Sequence, residues 1–400
     1  MYSIVSLDAP SLDSFTVPYS LRILGEKQHL LGCGSVCLAT NLRMAVRVRE
    51  TAGAFSLSFG GVAGDDDFGL SEIPGRLPWP DEMPVSRLPE RWRNALGRLV
   101  PDPSVLEGLD VEVDLGPLWA VCPVEVLLSC PSLAASLAAV VAAHRMDPLP
   151  PTDAGLASVA CRVLSEILPA GPEDTGGAYG EALMSLVGGA GYVEPGGERL
   201  NVQQLLPPES LLLCLMPGVG PAVGAAERDQ ALREALAAAG RVGCDFAGDA
   251  EEALSGLFGL GPDVISEAET VMVYGLLRAR QMIESFLEYL GDPFVDNDRL
   301  AEICDEESAI LTDYFAFPAD VYEKVRGLAA EAGALGAKLT RAFGGYPAAV
   351  VLAPGCRQEV QEALRGELPG AHLLPINVDP TGLLRQEEGP NAAGAEPWDV

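Results

Sequence analysis

Histidine is scarce in this chain of 400 residues, which has only three of them: His29, His144 and His372. They stand far apart in the sequence, and only His29 lies in a motif-like context. Metal sites built on histidine and hydrolases of the Ser-His-Asp type both need histidine in a defined constellation. We therefore expect neither of these chemistries.

Basic residues are also few, since 26 Lys and Arg stand against 57 Asp and Glu, and the net charge is -31. A field of that sign repels phosphate backbones and anionic lipid surfaces, so we expect neither nucleic acid nor a membrane as a partner. A nucleotide would need local help from backbone N–H groups, one or two basic side chains and a divalent cation. The acidic surplus fits either high solubility or a salt-rich habitat.

The chain lacks long apolar runs and paired cysteine motifs. No stretch reaches the roughly eighteen consecutive apolar residues of a membrane-spanning helix. Residues 1–10 do not show the basic and apolar regions of a signal peptide. The nine cysteines are odd in number, contain no C-x-x-C pair and mostly lie among apolar residues. We interpret them as reduced, buried side chains and predict a cytoplasmic protein.

Aromatic residues make up only 6% of the sequence, so the core must be built mainly from aliphatic side chains. The length predicts roughly two to three domains, and a change of composition at residues 196–208 indicates a boundary. Helical and strand patterns occur on both sides of it, which is typical of an α/β or α+β protein in two parts. The strongest helix patterns cover Pro131–His144, Ala154–Leu168, Ala178–Val187, Glu267–Leu290, Asp298–Thr312 and Ala319–Glu331, and the clearest strand patterns cover Ser35–Ala39, Met44–Val48, Val111–Leu115, Leu211–Met216, Ala348–Ala353 and His372–Val378.

The segment Glu331–Pro354 (EAGALGAKLTRAFGGYPAAVVLAP) has the most informative pattern. Its residues alone predict that a helix ends in a glycine-bearing turn and that an apolar strand follows. Gly344 and Gly345 permit a positive φ or a close approach of the backbone to a ligand. A tight helix-to-strand turn with no ligand explains the same pattern.

This segment resembles the third motif of the GHMP small-molecule kinase superfamily, and most of all that of its galactokinase and arabinokinase branch. In the family this glycine-rich turn lies against the phosphates and the substrate, which implies the same place for Gly344 and Gly345. Glycines of the family motif are missing at Arg341 and Ala342. The matching residues are Gly333, Ala334, Gly336, Ala337, Lys338, Thr340, Phe343, Gly344 and Gly345.

The segment Pro18–Ala39 resembles the first motif of the same family, in which a strand runs into Leu-Ile-Gly-Glu-His-x-Asp-Tyr. Gly25 and Glu26 match, whereas the family's His falls on Lys27 and its Asp on His29. The resemblance implies sugar contacts for these positions, with Glu26 as an acceptor and with Lys27 and His29 as donors. Without the resemblance, the same residues describe a solvent-exposed turn.

The segment Pro123–Leu137 resembles the family's phosphate loop, Pro-x-Gly-x-Gly-Leu-Ser-Ser-Ser-Ala, whose backbone N–H groups wrap phosphates at a helix N-terminus. Its glycines are replaced by Glu125 and Leu127, while Ser129 and Ser132 are retained. The resemblance implies that both serines bind phosphate and that Ser129 is also the ligand of Mg²⁺. Taken alone, the segment describes a helix cap rather than a phosphate loop.

The segment Gly177–Gly188 resembles the family motif that carries the catalytic carboxylate. Counted back from its end, Ser185 matches and Glu181 falls on the family's Asp; counted forward from its start, Gly180 falls there instead. The resemblance implies that Glu181 is the catalytic base, whereas the helical pattern alone describes a surface acid. The family's arginine that faces the transferred phosphate falls on Ser20.

The resemblance covers most of residues 15–380 and implies a two-domain α/β (α+β) fold. The N-terminal domain, residues 1–204, would contain a left-handed βαβ element. The C-terminal domain, residues 205–384, would be ferredoxin-like, with the active cleft between the two. Residues 385–400 are polar and rich in Gly, Pro and acids, so we predict a disordered tail.

The implied activity is transfer of the γ-phosphoryl group of ATP to a sugar hydroxyl, with Mg²⁺ bridging the phosphates. The partners would then be a sugar and ATP. The altered motifs also fit a different function, a catalytically silent protein of the same fold that binds a sugar or nucleotide or acts as a regulator. These two functions remain the alternatives that the sequence leaves open.

Overall fold

Two β-sheets organise the protein in a computed structural model, one built mainly from the N-terminal half of the chain and the other from the C-terminal half. The structure describes residues 12–60, 88–100, 103–122, 124–145, 152–167, 178–195, 197, 199–202, 206, 209–216, 225–246, 248–290, 297–315, 317, 319–343 and 345–388. The strands are β1 (Leu12–Leu24), β2 (Ser35–Glu50), β3 (Ser56–Gly60), β4 (Leu109–Asp114), β5 (Ala190–Val193), β6 (Arg199–Asn201), β7 (Leu211–Leu215), β8 (Gly336–Ala342), β9 (Tyr346–Leu352), β10 (His372–Ile376) and β11 (Leu384–Glu388). The helices are α1 (Leu88–Gly97), α2 (Val124–Leu127), α3 (Pro131–Arg145), α4 (Asp153–Ile167), α5 (Ala178–Val187), α6 (Ala225–Arg241), α7 (Ala250–Phe258), α8 (Glu267–Leu290), α9 (Asn297–Phe315), α10 (Ala319–Glu331) and α11 (Arg357–Glu367).

The N-terminal sheet has seven strands in the order β11-β1-β2-β4-β3, and β5 joins β2 to β6. Strand β4 alternates buried Leu109, Val111 and Val113 with half-buried residues, as a strand with one covered face does. Helices α3 and α5 cover β1 and β2, and α4 packs on both helices. Helix α3 is buried from Pro131 to Ala142 because it is apolar all round, which places it at the centre of this domain.

Strands β3 and β4 are parallel, and α1 lies between them in the sequence. A parallel pair needs such a crossover, so this is the βαβ element of the predicted fold. The handedness of the crossover stays a prediction.

The C-terminal sheet is antiparallel and has the strand order β10-β7-β9-β8. Numbered within the domain this order is 4-1-3-2, with helices after the first and third strands, which is the βαββαβ arrangement of a ferredoxin-like fold. The ferredoxin-like prediction is therefore confirmed. Strands β7 and β9 are buried along their whole length, as their unbroken apolar runs predict.

Strand β8 corrects the prediction of a helix-to-strand turn within Glu331–Pro354. The helix ends at Glu331, a further strand follows, and the glycine turn is a β-hairpin between β8 and β9. The sequence hides this strand because Lys338 and Thr340 interrupt its apolar pattern, yet both side chains are fully buried. Buried polar residues need partners from elsewhere in the fold, and no local pattern reveals those partners.

Strand β11 corrects the prediction of a disordered tail that begins at Arg385. Residues 384–388 pair antiparallel with β1 and so return the end of the chain to the N-terminal sheet. Arg385 stabilises this pairing because its guanidinium donates to Asp13 at 2.6 Å and lies 5.8 Å from the ring centroid of Phe15. Residues 389–400 lie outside the described part of the chain.

All nine cysteines are free thiols, and five of them are buried. Within the described ranges, no helix combines the length and the apolar character that a membrane span requires.

Candidate functional site

A sharp turn after β1 starts the candidate site. Gly25 adopts a φ of +90°, and a Cβ atom there would lie 2.9 Å from Ser35, so the turn requires glycine. The N–H of Gly25 donates to the carboxylate of Glu307 on α9 at 2.8 Å. The turn therefore joins the two domains, and Glu26 points into their interface.

The carboxylate of Glu26 is buried and bound within the protein. Its Oε1 lies 2.6 Å from the hydroxyl of Thr340 and accepts the backbone N–H of Arg341 at 3.2 Å. Burial alone would raise the pKa of Glu26, but Arg22, Lys338 and the two hydrogen bonds outweigh burial and lower it. Glu26, which the resemblance predicts to bind the sugar, is thus ionised and already accepts hydrogen bonds from Thr340 and Arg341.

Glu26 also completes the free edge of β8. This strand is at the edge of its sheet, and α9 covers it with side chains that accept two of its N–H groups. Asp305 accepts from Ala337 at 3.2 Å and Ser308 accepts from Leu339 at 2.9 Å. Glu26 accepts the next N–H on the same edge, so it takes a structural role that the sequence did not predict.

Glu181, the predicted base, lies in the first turn of α5 and is 3% exposed. Its Oε2 accepts a hydrogen bond from Nη2 of Arg22 at 3.3 Å. Burial raises the pKa of Glu181 to about 7, with help from the charge of Glu26 and against the effect of Arg22. The surface-acid interpretation is therefore wrong. In the alternative register, Gly180 packs so closely on Cys37 that an added Cβ would lie 2.9 Å from its sulfur.

Arg22 joins the two predicted carboxylates and is the residue that the sequence reasoning missed. It pairs with Glu181 at 3.3 Å and with Glu26 at 3.8 Å, and it also donates to the backbone oxygen of Glu26. The signal was available, because side chains two positions apart on a strand share a face and Arg22 follows Ser20 by two. The arginine that the resemblance expects at Ser20 is present one step along the same face.

A second pair of buried charges lies beside the first. Lys338 and Glu307 are at most 1% exposed, and Nζ is 3.6 Å from Oε2. Burial raises the pKa of Glu307, although Lys338 and the N–H of Gly25 oppose the shift. Together, Arg22, Glu26, Glu181, Glu307 and Lys338 form one ionic network at the domain interface, which we call the interdomain network.

Three buried hydroxyls lie at the start of α3. Ser132 accepts the backbone N–H of Ser20 at 3.0 Å, and its hydroxyl lies 2.8 Å from that of Ser185 and 3.1 Å from that of Ser20. Ser185 belongs to the same helix as Glu181, one turn further on. The hydroxyl of Ser132, which the resemblance predicts to bind phosphate, is therefore hydrogen-bonded within this serine cluster.

The segment before α3 is packed into the core. Leu127 and Leu128 are fully buried, and the indole N–H of Trp92 donates to the carbonyl of Leu128 at 2.9 Å. The sulfur of Cys130 accepts the N–H of Leu133 at 3.4 Å, so the helix N-terminus is capped by the protein itself. Ser129 is buried too, and its hydroxyl donates to the carbonyl of Val126 at 3.0 Å. Pro123 and the side chain of Glu125 lie outside the described residues.

We expect Ser132→Ala to destabilise the fold by about 1–3 kcal/mol, because it leaves the buried N–H of Ser20 without its acceptor. Ser158→Ala is the matched control, since Ser158 is exposed on α4 and its loss should change stability by less than about 0.5 kcal/mol. Urea unfolding of the two variants measures both values. A loss for Ser132→Ala no larger than that of the control would show that this hydroxyl is free for a ligand.

The remaining predicted residues lie around the β1 turn and the β8–β9 hairpin. Lys27 is half-buried. Gly345 closes the hairpin with a hydrogen bond to Ala342, and a Cβ there would meet nothing within 4 Å. Phe343 instead takes the positive φ of this turn, and its buried ring packs edge-on against Tyr19 at 5.3 Å. Gly344 lies outside the described residues.

A small pocket lies beside His29. Its enclosed space is about 10 Å³, roughly the room of one water molecule, and the rest of it opens to solvent. Its lining includes Gly25, His29, Cys33, Ser35, Tyr179 and Gly180. Burial lowers the pKa of His29 to about 3, and the charges of Arg22, Lys27 and Arg233 lower it as well. The imidazole is therefore neutral, and its Nδ1 has no hydrogen-bond partner among the described residues.

The groups present at the start of α3 do not fit a triphosphate with Mg²⁺. A triphosphate needs open N–H groups at a helix N-terminus, and here Cys130 caps the N-terminus while Leu127, three residues earlier, is fully buried. The two serine hydroxyls that would hold phosphate or metal are bound within the protein. In the described ranges, no group of three or more His, Cys, Asp or Glu is arranged to hold a metal ion.

No family profile and no curated protein matches this chain. Solved structures do. The chain is similar to Lactococcus lactis galactokinase complexed with galactose, at 16% identity over 93% of this chain and 95% of that one, with a TM-score of 0.65. It is similar to Methanococcus jannaschii mevalonate kinase, at 13% identity over 93% and 99%, with a TM-score of 0.57. It is also similar to L. major mevalonate kinase in complex with R-mevalonate, at 16% identity over 92% and 96%, with a TM-score of 0.52. The chain therefore has the two-domain fold of the GHMP small-molecule kinases.

Proposed function

We propose that this protein is a catalytically silent binding protein on the small-molecule kinase fold. The proposal rests on one observation. The protein groups that the resemblance predicts to bind phosphate or to act as the base are buried and bound within the protein. Glu181 is held by Arg22, Ser132 by Ser20 and Ser185, and the N-terminus of α3 by Cys130. A phosphoryl-transfer site needs these groups to face the reactants.

The altered residues account for this state. Leu127 stands where the resembled loop has glycine, and its side chain enters the core. A side chain packed at a helix N-terminus excludes the phosphate that glycine would admit. Removing it would leave a cavity rather than restore a loop, because Leu128 and Trp92 pack around the same segment. The net charge of -31 further opposes an anionic nucleotide.

The pocket beside His29 is the binding site in this proposal, and its ligand is a small, uncharged, hydroxylated molecule such as a sugar. Neutral His29 offers a ring nitrogen that is buried and lacks a partner, which a ligand hydroxyl satisfies. The enclosed space of about 10 Å³ admits one hydroxyl-sized group, so the rest of a sugar would lie in the part of the pocket that opens to solvent. One structural relative was solved with a small uncharged sugar, galactose.

An active sugar kinase is the second candidate, and one observation favours it. A pKa of about 7 suits a general base at neutral pH, and this is the value to which burial raises Glu181. Tyr179 and Gly180, which precede it on α5, line the pocket. A sugar bound there would lie near the helix that carries the carboxylate.

We expect no ATP consumption above background with a panel of hexoses, pentoses and uronic acids, and no submicromolar binding of MgATP in calorimetry. Binding of one or more sugars without ATP is expected, and His29→Ala should weaken it because the pocket loses the free ring nitrogen. Glu181→Gln tests for catalysis, because it keeps the shape of the side chain and removes the carboxylate that would act as the base. If a sugar is phosphorylated and this variant lowers the rate by about 10²–10⁴-fold, the protein is a kinase with Glu181 as its base.

A further inference from the structure

Apolar side chains of three helices form a patch on the C-terminal domain, in which Phe258 and Val271 are exposed and Tyr274 and Tyr314 are half-buried. Phe258, at the end of α7, is 68% exposed, and its ring centroid lies 6.0 Å from that of Tyr274 on α8. Tyr274 lies 5.9 Å from Tyr314 on α9. Val271 is 47% exposed and shares a face of α8 with Tyr274, three residues later. We call these four residues the aromatic patch.

Single exposed apolar residues are ordinary, but a contiguous group of aromatic ones is typical of a contact surface. Aromatic side chains supply a large part of the binding energy where proteins meet. The aromatic patch is therefore a candidate contact surface for another molecule.

The rim of the patch is acidic. Residues 245–315, which contain α7, α8 and α9, include 17 acidic and 3 basic residues. Glu251 and Glu252 on α7, Glu267 on α8 and Asp313 on α9 are all exposed. The three arginines bind within this domain, to Gln281, to Glu284 and to Glu302. An apolar centre with a negative rim selects a partner that is apolar and positively charged.

We propose that the aromatic patch docks a basic amphipathic helix of a partner protein. The apolar face of such a helix covers the rings, and its lysines and arginines meet the acidic rim, as in other helix-in-groove contacts. A second copy of this chain fits poorly, because two molecules of charge -31 repel each other. Nucleic acid and anionic lipid are repelled in the same way.

The test uses the full chain and a synthetic Leu/Lys peptide of about sixteen residues, with leucine at i, i+3, i+4 and i+7 so that it forms an amphipathic helix. A scrambled peptide of the same composition is the second probe. Fluorescence anisotropy at about 0.15 M salt measures both affinities, since this ionic strength screens non-specific attraction. The amphipathic peptide is expected to bind at least about tenfold more tightly than the scrambled one.

Phe258→Ser and Val271→Ser should each weaken binding of the amphipathic peptide by about tenfold, because each removes an apolar contact at the patch. Trp119→Ser is the control, since Trp119 is a similarly exposed aromatic residue on the other domain. Thermal unfolding confirms that the variants fold, as expected for exposed positions. Equal binding of the two peptides, or unchanged binding by both patch variants, overturns the proposal. Self-association that Phe258→Ser abolishes also overturns it, because the occupant is then a second copy.

Discussion

Replacing Arg22 with methionine is expected to lower the free energy of unfolding by about 3–5 kcal/mol, one of the largest effects of any single substitution in this protein. Arg22 is the cation that Glu181 and Glu26 share, and both carboxylates are buried. Methionine fills a similar volume without the charge, so the two buried carboxylates lose their common partner. Urea unfolding at pH 7 measures the loss.

The matched control is Arg326→Met on α10, where a half-exposed arginine pairs with the exposed Glu323 at 2.6 Å. Pairs of this kind contribute about 0–1 kcal/mol, so this variant should unfold almost as the wild type does. Should Arg22→Met prove too unstable to purify, Arg22→Lys is the second variant, since it keeps the charge and loses the geometry of two separate N–H donors. Its loss in free energy of unfolding should lie between those of Arg22→Met and Arg326→Met. A loss below about 1 kcal/mol for Arg22→Met would show that the interdomain network does not hold the domains together.

Buried hydrogen bonds join the two domains next to the interdomain network. The two domains meet through Gly25 and Glu307, through Glu26 and Thr340, and through the buried amide of Gln28, which donates to the carbonyl of Leu276. These contacts occupy the interface in which the resemblance expects an open active cleft.

Elements with regular apolar patterns could be predicted from the sequence. Helices α3, α5 and α8 and strands β7 and β9 lie within a few residues of their predicted bounds, because each buries a face or a run that the sequence displays. Glu26 and Glu181, to which the resemblance assigns roles in sugar binding and catalysis, both contact Arg22, and those roles stay predictions.

Features that depend on contacts between distant segments could not be predicted in this way. Lys338 looks like the polar end of a helix, and only Glu307 makes it a buried residue of a strand. Arg385 looks like the start of a polar tail in the sequence, and only its hydrogen bond to Asp13 on β1 accounts for its place in a strand. A buried charge is stable only with its partner, and the partner lies tens or hundreds of positions away in the chain.

The stability of Glu181→Gln relative to the wild type is expected to depend strongly on pH. Burial raises the pKa of Glu181 from its ordinary 4.5 to about 7. Between these values the folded wild type holds a proton that the unfolded chain releases, so this group's contribution to stability falls as pH rises from about 4.5 to about 7.

Glutamine does not titrate, so the difference between variant and wild type should grow in favour of the variant by about 3 kcal/mol across that window. Below about pH 4.5 the difference should level off, and its constant part reports the hydrogen bond to Arg22 that glutamine changes. Urea unfolding of both proteins at about five pH values between pH 4 and pH 8 provides the curve. Ser158→Ala, which removes no titratable group, should keep a constant difference throughout. A flat curve for Glu181→Gln would mean that Glu181 keeps its ordinary pKa in the folded protein, and the kinase alternative would lose the observation that favours it. A curve that rises in favour of the wild type with pH would mean that the pair with Arg22 lowers the pKa of Glu181 and holds the carboxylate ionised.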